Sequence, residues 1–307
     1  MELVGKKILV TGGAGFLGRH IVEELVVRGV RREDISVPRS DTDDLRLIEN
    51  CERAVKGVDA VIHTAGITGN TEFHKNHPAQ IFYDNMVMGV ELMEAARKAG
   101  VNKFVTIGSA TEYPDNAPLP FREESLWSGS FESIHAPYTI AKKMLLVMAQ
   151  AYRKQYGFNA VHLLLTNMYG PGDKLDGMVI PMLIKKVYDA KQKGEKSIEV
   201  WGTGRPTRDF IFVKDAAAGV VSVLEKYDGA EPVNIGSGWE ISIRELAELI
   251  VRIMDFKGEL RFDTSRPDGQ PRRMLDTSRA EREFGFRALT DFETGLRATI
   301  KSFGFEL

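Results

Sequence analysis

A run of glycines near the start of the chain constrains the fold more than any other stretch. The preceding segment from Lys7 to Thr11 reads Lys-Ile-Leu-Val-Thr, an apolar run typical of a strand that is buried on both faces. The segment from Gly12 to Gly18 follows directly, and Arg19 to Arg28 then has the apolar spacing of a helix that ends at Gly29. Glycines between a strand and a helix allow a tight turn and let backbone N–H groups approach a pyrophosphate. The segment therefore predicts a dinucleotide site.

Further segments alternate between strand and helix patterns. We expect strands at 34–38, from 59 onward, at 103–107 and at 160–166, and long helices at 78–98 and from 138 to about 157. This alternation predicts an α/β fold with a Rossmann-type, doubly wound parallel sheet. Beyond residue 170 the elements become shorter. We therefore predict an NAD(P)-binding domain at 1–170 and a smaller C-terminal α/β substrate lobe at 171–307, with crossovers between the two.

The cofactor-binding residues follow from this arrangement. The candidates around the glycine turn and the third strand are Gly12, Gly15, Phe16, Leu17, Gly18 and Ala65. The second predicted strand ends in Pro38-Arg39-Ser40-Asp41. An acidic side chain at this strand end suits the ribose hydroxyls of NAD, whereas an arginine suits the 2'-phosphate of NADP. Because Arg39 is closer to the strand end than Asp41, NADP is favoured over NAD; a solvated loop arginine is the alternative.

Two groups of polar residues have the spacing of a proton-transfer site. The fourth predicted strand leads to Ser109 and Thr111, at the edge of the sheet where ligands bind. Tyr138 and Lys142 are four residues apart, which places them on one helix face. A neighbouring cation favours the phenolate and lets a tyrosine exchange a proton with an alcohol oxygen during hydride transfer. Taken alone, the spacing also fits a packed tyrosine and a solvated lysine, but the glycine turn supplies a cofactor for it.

Composition and charge argue against several other functions. Hydrophobic residues make up 43% and charged residues 27% of the chain, and the formal net charge is −2, so no basic field indicates nucleic-acid or membrane binding. No apolar run approaches the roughly 20 residues of a membrane span. The single cysteine, Cys51, fits a reducing compartment, and we expect a cytoplasmic protein. His74 and His77 lie in a polar segment without the pattern of a metal site, and no metal is expected.

Cations recur through the second half of the chain. They are Lys185, Lys186, Arg205, Arg208, Arg266, Arg272 and Arg273, and Trp201 lies among them. Arginines and lysines suit the phosphates of a nucleoside diphosphate, and a flat side chain suits its base or sugar. For any one of these residues, dispersed surface charge is the alternative.

Taken together, these motifs resemble the extended short-chain dehydrogenase/reductases that act on nucleotide sugars. The resemblance rests on the glycine turn, Ser109, the Tyr138 to Lys142 spacing and the run Asn167-Met168-Tyr169-Gly170-Pro171, and it covers nearly the whole chain. It implies that Ser109 hydrogen-bonds the substrate oxygen and that Tyr138 is the acid or base. It also implies that Lys142 holds the cofactor ribose and lowers the tyrosine pKa. The implied substrate is a nucleotide-diphosphate sugar.

Within that group, the second half is most similar to the GDP-L-fucose synthases. The likeness lies in segments such as 200–210 and 267–273, and it implies that Asn167, Lys186, Trp201 and Arg208 contact the nucleotide sugar. These synthases epimerise two carbons before they reduce a 4-keto group. They use a cysteine two residues after the catalytic serine and a histidine just before a Val-Ile-Pro run.

Thr111 and Met178 occupy those two positions here. A thioether carries no transferable proton, and a threonine hydroxyl is a far weaker acid than a thiol. We therefore expect NADP(H)-dependent C4 reduction of a GDP-4-keto-6-deoxyhexose without epimerisation at C3 and C5.

Other functions are less well matched. The run Ser109-Ala110-Thr111, with a tyrosine two residues later, also resembles UDP-galactose 4-epimerase, which oxidises and re-reduces C4 with a retained NAD. The adjacent Asp-Glu pair of 4,6-dehydratases is missing near this serine. A cofactor-binding regulatory protein without turnover would not require Ser109, Tyr138 and Lys142 together.

The helix at 78–98 has apolar residues around much of its circumference. Such a surface fits core packing alone, or core packing plus a subunit contact. We expect a homodimer that associates through this helix and the helix that carries Tyr138.

Overall fold

A computed structural model describes residues 1–130, 134–175 and 177–305. The strands are β1 (Ile8–Thr11), β2 (Ile35–Ser36), β3 (Ala60–His63), β4 (Lys103–Ser109), β5 (Ala160–Leu165), β6 (Asn167–Tyr169), β7 (Ser197–Trp201), β8 (Thr207–Arg208), β9 (Phe210–Phe212), β10 (Val233–Ile235), β11 (Ile241–Ser242), β12 (Glu259–Asp263) and β13 (Arg272–Arg273). The helices are α1 (Phe16–Val27), α2 (Ile48–Ala54), α3 (Thr71–Asn76), α4 (Pro78–Lys98), α5 (Ala136–Tyr156), α6 (Val179–Lys193), α7 (Val213–Lys226), α8 (Ile243–Ile253), α9 (Ser278–Phe284) and α10 (Phe292–Ser302). Short 3-10 helices occur at Arg32–Asp34, Ala110–Glu112 and Glu123–Trp127.

Six strands form a central parallel sheet in the order β10-β5-β4-β3-β1-β2. The chain runs from β1 to β2 on one side and then crosses to β3 on the other side of β1. A doubly wound sheet opens a ligand crevice at such a reversal, outside the carboxyl ends of the strands. The predicted Rossmann-type α/β fold is confirmed.

Helices cover both faces of this sheet. Ile8 and Val10 pack with α1 and α7 on one face, whereas Leu9 packs with α4 and α5 on the other. Successive side chains of a strand alternate between faces, so a strand covered on both sides is apolar at every position. The long helix α5 thereby lies along β4 and β5 and presents its first turns at the carboxyl edge of the sheet.

A separate apolar cluster forms the second lobe. It contains buried residues of α6, α8, α10, β7 and β9, and β7 pairs with β12 in parallel. The chain also returns to the first layer, since α7 packs on α1 and β10 joins the central sheet beside β5. The division at residue 170 stays a prediction, with the crossovers located at α7 and β10.

Some local predictions were wrong. We expected a turn from Asn167, but Asn167–Tyr169 is a strand that pairs in parallel with Phe210–Phe212. The helix expected from Arg19 begins at Phe16, so Gly18, which we expected in the glycine turn, is part of α1. Of the expected loop at 129–137, residues 131–133 lie outside the described residues, and α5 already begins at Ala136. Within the described residues, no helix is both long and apolar enough to cross a membrane.

Candidate active site

The glycine turn brings the end of β1 against the loop that follows β3. Gly12 has φ +69°, and a Cβ there would lie 2.7 Å from Thr64 Oγ1 and 2.8 Å from Ala65 N. A Cβ on Gly18 would overlap the carbonyl oxygen of Gly12. These close approaches require glycine at both positions. They let α1 begin directly above the crevice between β1 and β3.

The first turn of α1 is suited to an anion. Gly15 is its N-cap and supplies no side-chain hydrogen bond, and the first turn contains no acidic residue. The backbone N–H groups of a first turn have no partner within the helix, and the helix dipole favours a phosphate there. Phe16 is half-buried at the start of this turn, and Leu17 is buried. The turn therefore fits the pyrophosphate of a dinucleotide.

Lys142 meets the loop after β3 from the opposite side of the crevice. Its Nζ donates to the Ala65 carbonyl oxygen at 3.3 Å. A Cβ on Gly66 would lie 3.1 Å from this Nζ and 2.9 Å from Asn85 Oδ1. Asn85 Oδ1 accepts a hydrogen bond from the Ile67 backbone N–H at 3.0 Å, and Asn85 Nδ2 donates one to the Ile67 carbonyl oxygen at 2.8 Å. Asn85, which the sequence analysis missed, thus fixes the loop that faces Lys142.

Tyr138 and Lys142 lie one turn apart near the start of α5. Tyr138 is half-buried, and Lys142 is 3% exposed. Burial raises the pKa of Tyr138, and the charge of Glu112 adds to this. Burial lowers the pKa of Lys142 to about 8, although Glu112 acts against that change. We expected Lys142 to lower the tyrosine pKa; in the structure, desolvation moves the tyrosine pKa in the opposite direction.

Ser109 and Thr111 form a small hydrogen-bonded unit at the end of β4. Ser109 Oγ accepts hydrogen bonds from the backbone N–H and the hydroxyl of Thr111, at 3.2 and 3.1 Å. Thr139 Oγ1 donates to the Thr111 carbonyl oxygen at 3.3 Å, which ties this unit to α5. Ser109 is therefore held as an acceptor toward Thr111, and its own proton is available to a substrate oxygen.

Two histidines that the sequence analysis did not place in the site lie next to Tyr138. The His74 ring is edge-on to Tyr138, with 5.8 Å between centroids, and 4.5 Å from the His135 ring. His74 is 3% exposed, and its Nε2 lies 3.1 Å from Thr68 Oγ1. Burial lowers the pKa of both imidazoles. No local sequence pattern indicated this cluster, because α3 and α5 are far apart in the chain.

Cations of the second lobe face the same region. Arg208 and Arg273 are partly buried; burial lowers both pKa values, that of Arg273 to about 10, and the charge of Arg208 contributes to the latter. The charge of Arg273 also acts on His135, which links this pair to the Tyr138 side of the site. Two desolvated guanidinium groups close together are suited to an anion.

A second group of cations lies around Trp201. Its ring is 57% exposed, and Lys186 Nζ and Arg266 Cζ lie 5.5 and 5.1 Å from its centroid. Lys186 Nζ also donates to the Glu199 carbonyl oxygen at 2.8 Å. An exposed indole between two cations can stack a planar base.

The remaining predicted contacts are Asn167, Arg39 and Trp201. Asn167 is half-buried at the start of β6, and Arg39 is exposed after β2. In the described parts of the chain, no hydrogen bond, ion pair or ring contact joins Arg39 or Trp201 to Tyr138. No group of three or more His, Cys, Asp or Glu side chains among the described residues is arranged to hold a metal ion.

These features define a class of protein. A doubly wound sheet, a glycine turn fitted to a pyrophosphate, and Ser109, Tyr138 and Lys142 at the carboxyl edge are the parts of an extended short-chain dehydrogenase/reductase. The sequence profile of the NAD dependent epimerase/dehydratase family matches residues 8–236, and the chain belongs to this family. Its members are enzymes, and the site fits their nicotinamide dinucleotide.

Individual relatives agree with this assignment. The chain is 39% identical to a GDP-L-fucose synthase of Sinorhizobium fredii (strain NBRC 101917 / NGR234), over 98% of this chain and 96% of that one. A GDP-mannoheptose C4 reductase from Campylobacter jejuni with NADP bound superposes with a TM-score of 0.90 at 27% identity, covering 99% of both chains. A UDP-glucose 4-epimerase from Thermotoga maritima with UDP-glucose superposes with a TM-score of 0.83 at 25% identity, covering 97% and 98%.

The glycine turn yields a direct test of cofactor binding. Gly18→Ala should weaken NADPH binding by about 5- to 150-fold, because overpacking against rigid backbone costs about 1–3 kcal/mol. Titration calorimetry with NADPH measures the effect. Ala14→Ser, on the exposed part of the same turn, should bind as the unchanged protein does. Equal affinity in the Gly18 and Ala14 variants would contradict the assignment of this turn.

Proposed function

We propose that the protein reduces the C4 keto group of a GDP-linked 4-keto-6-deoxyhexose with NADPH, without epimerising C3 or C5. The observation that carries the proposal is the composition of the site. Ser109 ends β4, and Tyr138 and Lys142 lie in the first turns of α5, while Thr111 and Met178 occupy the positions that epimerisation would use. The GDP-sugar specificity is supported by two of the relatives named above, the GDP-L-fucose synthase and the GDP-mannoheptose C4 reductase.

The chemistry divides between the cofactor and the chain. Bound NADPH supplies the hydride that adds to C4. Tyr138 donates its proton to the oxygen that becomes the C4 hydroxyl, and the Ser109 hydroxyl hydrogen-bonds the same oxygen. Lys142 would hold the cofactor ribose and stabilise the phenolate that remains on Tyr138. The raised pKa of Tyr138 keeps its proton in place at neutral pH until the substrate oxygen becomes more basic than the phenolate.

Thr111 and Met178 support reduction alone. The Thr111 hydroxyl donates to Ser109 Oγ, so its proton is already engaged in holding the serine. Met178 is 46% exposed at the N-cap of α6, and its thioether has no proton to exchange. Inversion at C3 and C5 would require groups that remove and return protons at carbon, and neither side chain serves that purpose.

A nucleotide-sugar 4-epimerase with a retained NAD is the second candidate. It is favoured by the structural likeness to the UDP-glucose 4-epimerase. The two functions differ in net redox change: a reductase consumes one NADPH per sugar, whereas an epimerase consumes none. Purified protein that contains tightly bound NAD and interconverts two sugar nucleotides would establish the epimerase and exclude the reductase.

Tyr138→Phe tests the proposal at its proton donor. With a GDP-4-keto-6-deoxyhexose and NADPH, the unchanged protein should oxidise NADPH and yield one reduced sugar with unaltered C3 and C5. The phenylalanine variant should lose at least about 100-fold in kcat, since it lacks the general acid. Its NADPH affinity should stay close to that of the unchanged protein. NADPH absorbance and NMR of the product measure both results, and undiminished kcat would refute the role of Tyr138.

Arg39 tests the choice between NADP and NAD. Arg39 is exposed in the segment after β2, and a Cβ on Gly13 of the glycine turn would lie 2.8 Å from the side chain of Val37, so this segment lies beside the glycine turn. Arg39→Ala should weaken NADPH binding about tenfold, the loss of one charge-assisted hydrogen bond, and leave NADH binding nearly unchanged. Asp41→Ala, on the same segment, serves as the control. Equal losses for both dinucleotides would reject Arg39 as the phosphate contact.

We also propose a homodimer through α4 and α5. These helices pack on each other and expose Phe82, Tyr83 and Val147, which are 40%, 62% and 41% exposed. Apolar side chains on adjacent helices suit a helix–helix interface. Sedimentation or light scattering should give twice the mass of one chain, and Tyr83→Glu should shift it toward the monomer. A monomeric mass for the unchanged protein would contradict this interface.

A further inference from the structure

A buried network joins the backbone of Ser109 to a histidine on the neighbouring strand. Glu112 Oε1 accepts a hydrogen bond from the Ser109 backbone N–H at 2.9 Å, and Glu112 Oε2 lies 2.9 Å from His162 Nε2. His162 Nδ1 lies 2.6 Å from Thr106 Oγ1. None of Thr106, Glu112 and His162 is more than 1% exposed.

The backbone leaves space for this pair. A Cβ on Gly108 would overlap both Glu112 Oε1 and His162 Nε2, so only glycine fits there. The ionisable side chains that face Glu112 are His162 on β5, Tyr138, Lys142 and Lys143 on α5, and Tyr113 next to it in the chain. A carboxylate is thus enclosed between the serine and the tyrosine–lysine pair.

The charge of Glu112 acts on both Tyr138 and Lys142. It raises the pKa of Lys142 against the larger effect of burial, which brings that pKa down to about 8. It also adds to the burial that raises the pKa of Tyr138. Water does not screen a charge in such a position, so its influence extends further than that of a surface carboxylate.

We propose that Glu112, held in place by His162, is a positioning residue that orients Ser109 and keeps Lys142 positively charged beside Tyr138. This inference rests on the proposed reductase function, in which Ser109 and Tyr138 meet the keto oxygen. Glu112 itself touches neither the sugar nor the cofactor. It acts through the Ser109 backbone, which its Oε1 fixes, and through the field that its charge creates at Lys142.

Two variants separate these effects. Glu112→Gln keeps the side-chain length and an acceptor for the Ser109 N–H but removes the charge. Glu112→Asp keeps the charge but shortens the reach to Ser109 and His162. Glu123→Gln is the matched control, because Glu123 is a 7% exposed glutamate that likewise accepts a backbone N–H, from Asn234 at 3.0 Å.

The Lys142 side chain reports the charge effect without any substrate. NMR titration of the protein with ¹³C-labelled lysine, with Lys142→Arg to assign the signal, should give a midpoint near pH 8 for the unchanged protein and for Glu123→Gln. Glu112→Gln should move the midpoint down by at least about half a pH unit, because a charge that favours the ammonium is gone. Glu112→Asp should keep it close to that of the unchanged protein.

Turnover reports both effects. Activity should fall as the pH rises through the Lys142 pKa, and in Glu112→Gln this fall should begin at lower pH. Glu112→Asp should lose about tenfold in kcat, because a displaced Ser109 would weaken its own hydrogen bond to the substrate oxygen. This variant should keep the alkaline pH profile of the unchanged protein.

The outcomes are distinguishable. An unchanged Lys142 midpoint in Glu112→Gln would overturn the inference, whatever the substrate proves to be. Unchanged kcat in Glu112→Asp would refute the claim that Glu112 orients Ser109. If circular dichroism shows that Glu112→Gln does not fold, this kcat alone decides whether Glu112 is a positioning residue. If the protein without substitutions reduces no GDP-4-keto sugar, the proposed function is overturned instead. The Lys142 titration would still test the role of Glu112.

Discussion

The close approach of β1 to the loop after β3 is the constraint on which the rest of the site depends. Gly12 permits it, because any side chain there would collide with Thr64 and Ala65. With the two loops together, the first turn of α1 and the Ala65 carbonyl oxygen face one crevice, and Lys142 reaches that carbonyl from α5. The reversal of strand order between β1 and β3 opens the crevice. The absence of a side chain at Gly12 gives the crevice the depth that a dinucleotide backbone requires.

Desolvation sets the electrostatics of the proposed proton donor. A tyrosine beside an ammonium is usually described as acidified, yet here burial raises the pKa of Tyr138 and lowers that of Lys142. The two shifts share one cause, because each charged form loses water. A protonated phenol suits reduction, in which the tyrosine must donate. In the proposed reduction, the lysine charge matters most after the transfer, when it stabilises the phenolate, and the nearby carboxylate of Glu112 favours the charged lysine.

The sequence predicted the parts of this site that depend on local spacing. The glycine turn and the pair at Tyr138 and Lys142 each lie within one or two elements, so period and turn chemistry reveal them. Contacts between distant segments were not accessible: Glu112 and His162 are 50 residues apart in the chain and meet only because β4 and β5 pair. Asn85 left a weak signal, as an amide among the apolar residues of α4, which the helical pattern alone could not interpret.

The arginines of the second lobe are connected to the Tyr138 side of the site. Arg208 and Arg273 lose water and repel each other, an arrangement that is stabilised when an anion lies between them. The charge of Arg273 reaches His135, and His135 contacts His74, which in turn contacts Tyr138. The two histidines therefore connect the arginines of the second lobe to Tyr138. In the proposed reduction, the Thr111 hydroxyl is engaged in holding Ser109. This contact favours a single proton transfer, from Tyr138 to the C4 oxygen, over proton exchange at carbon.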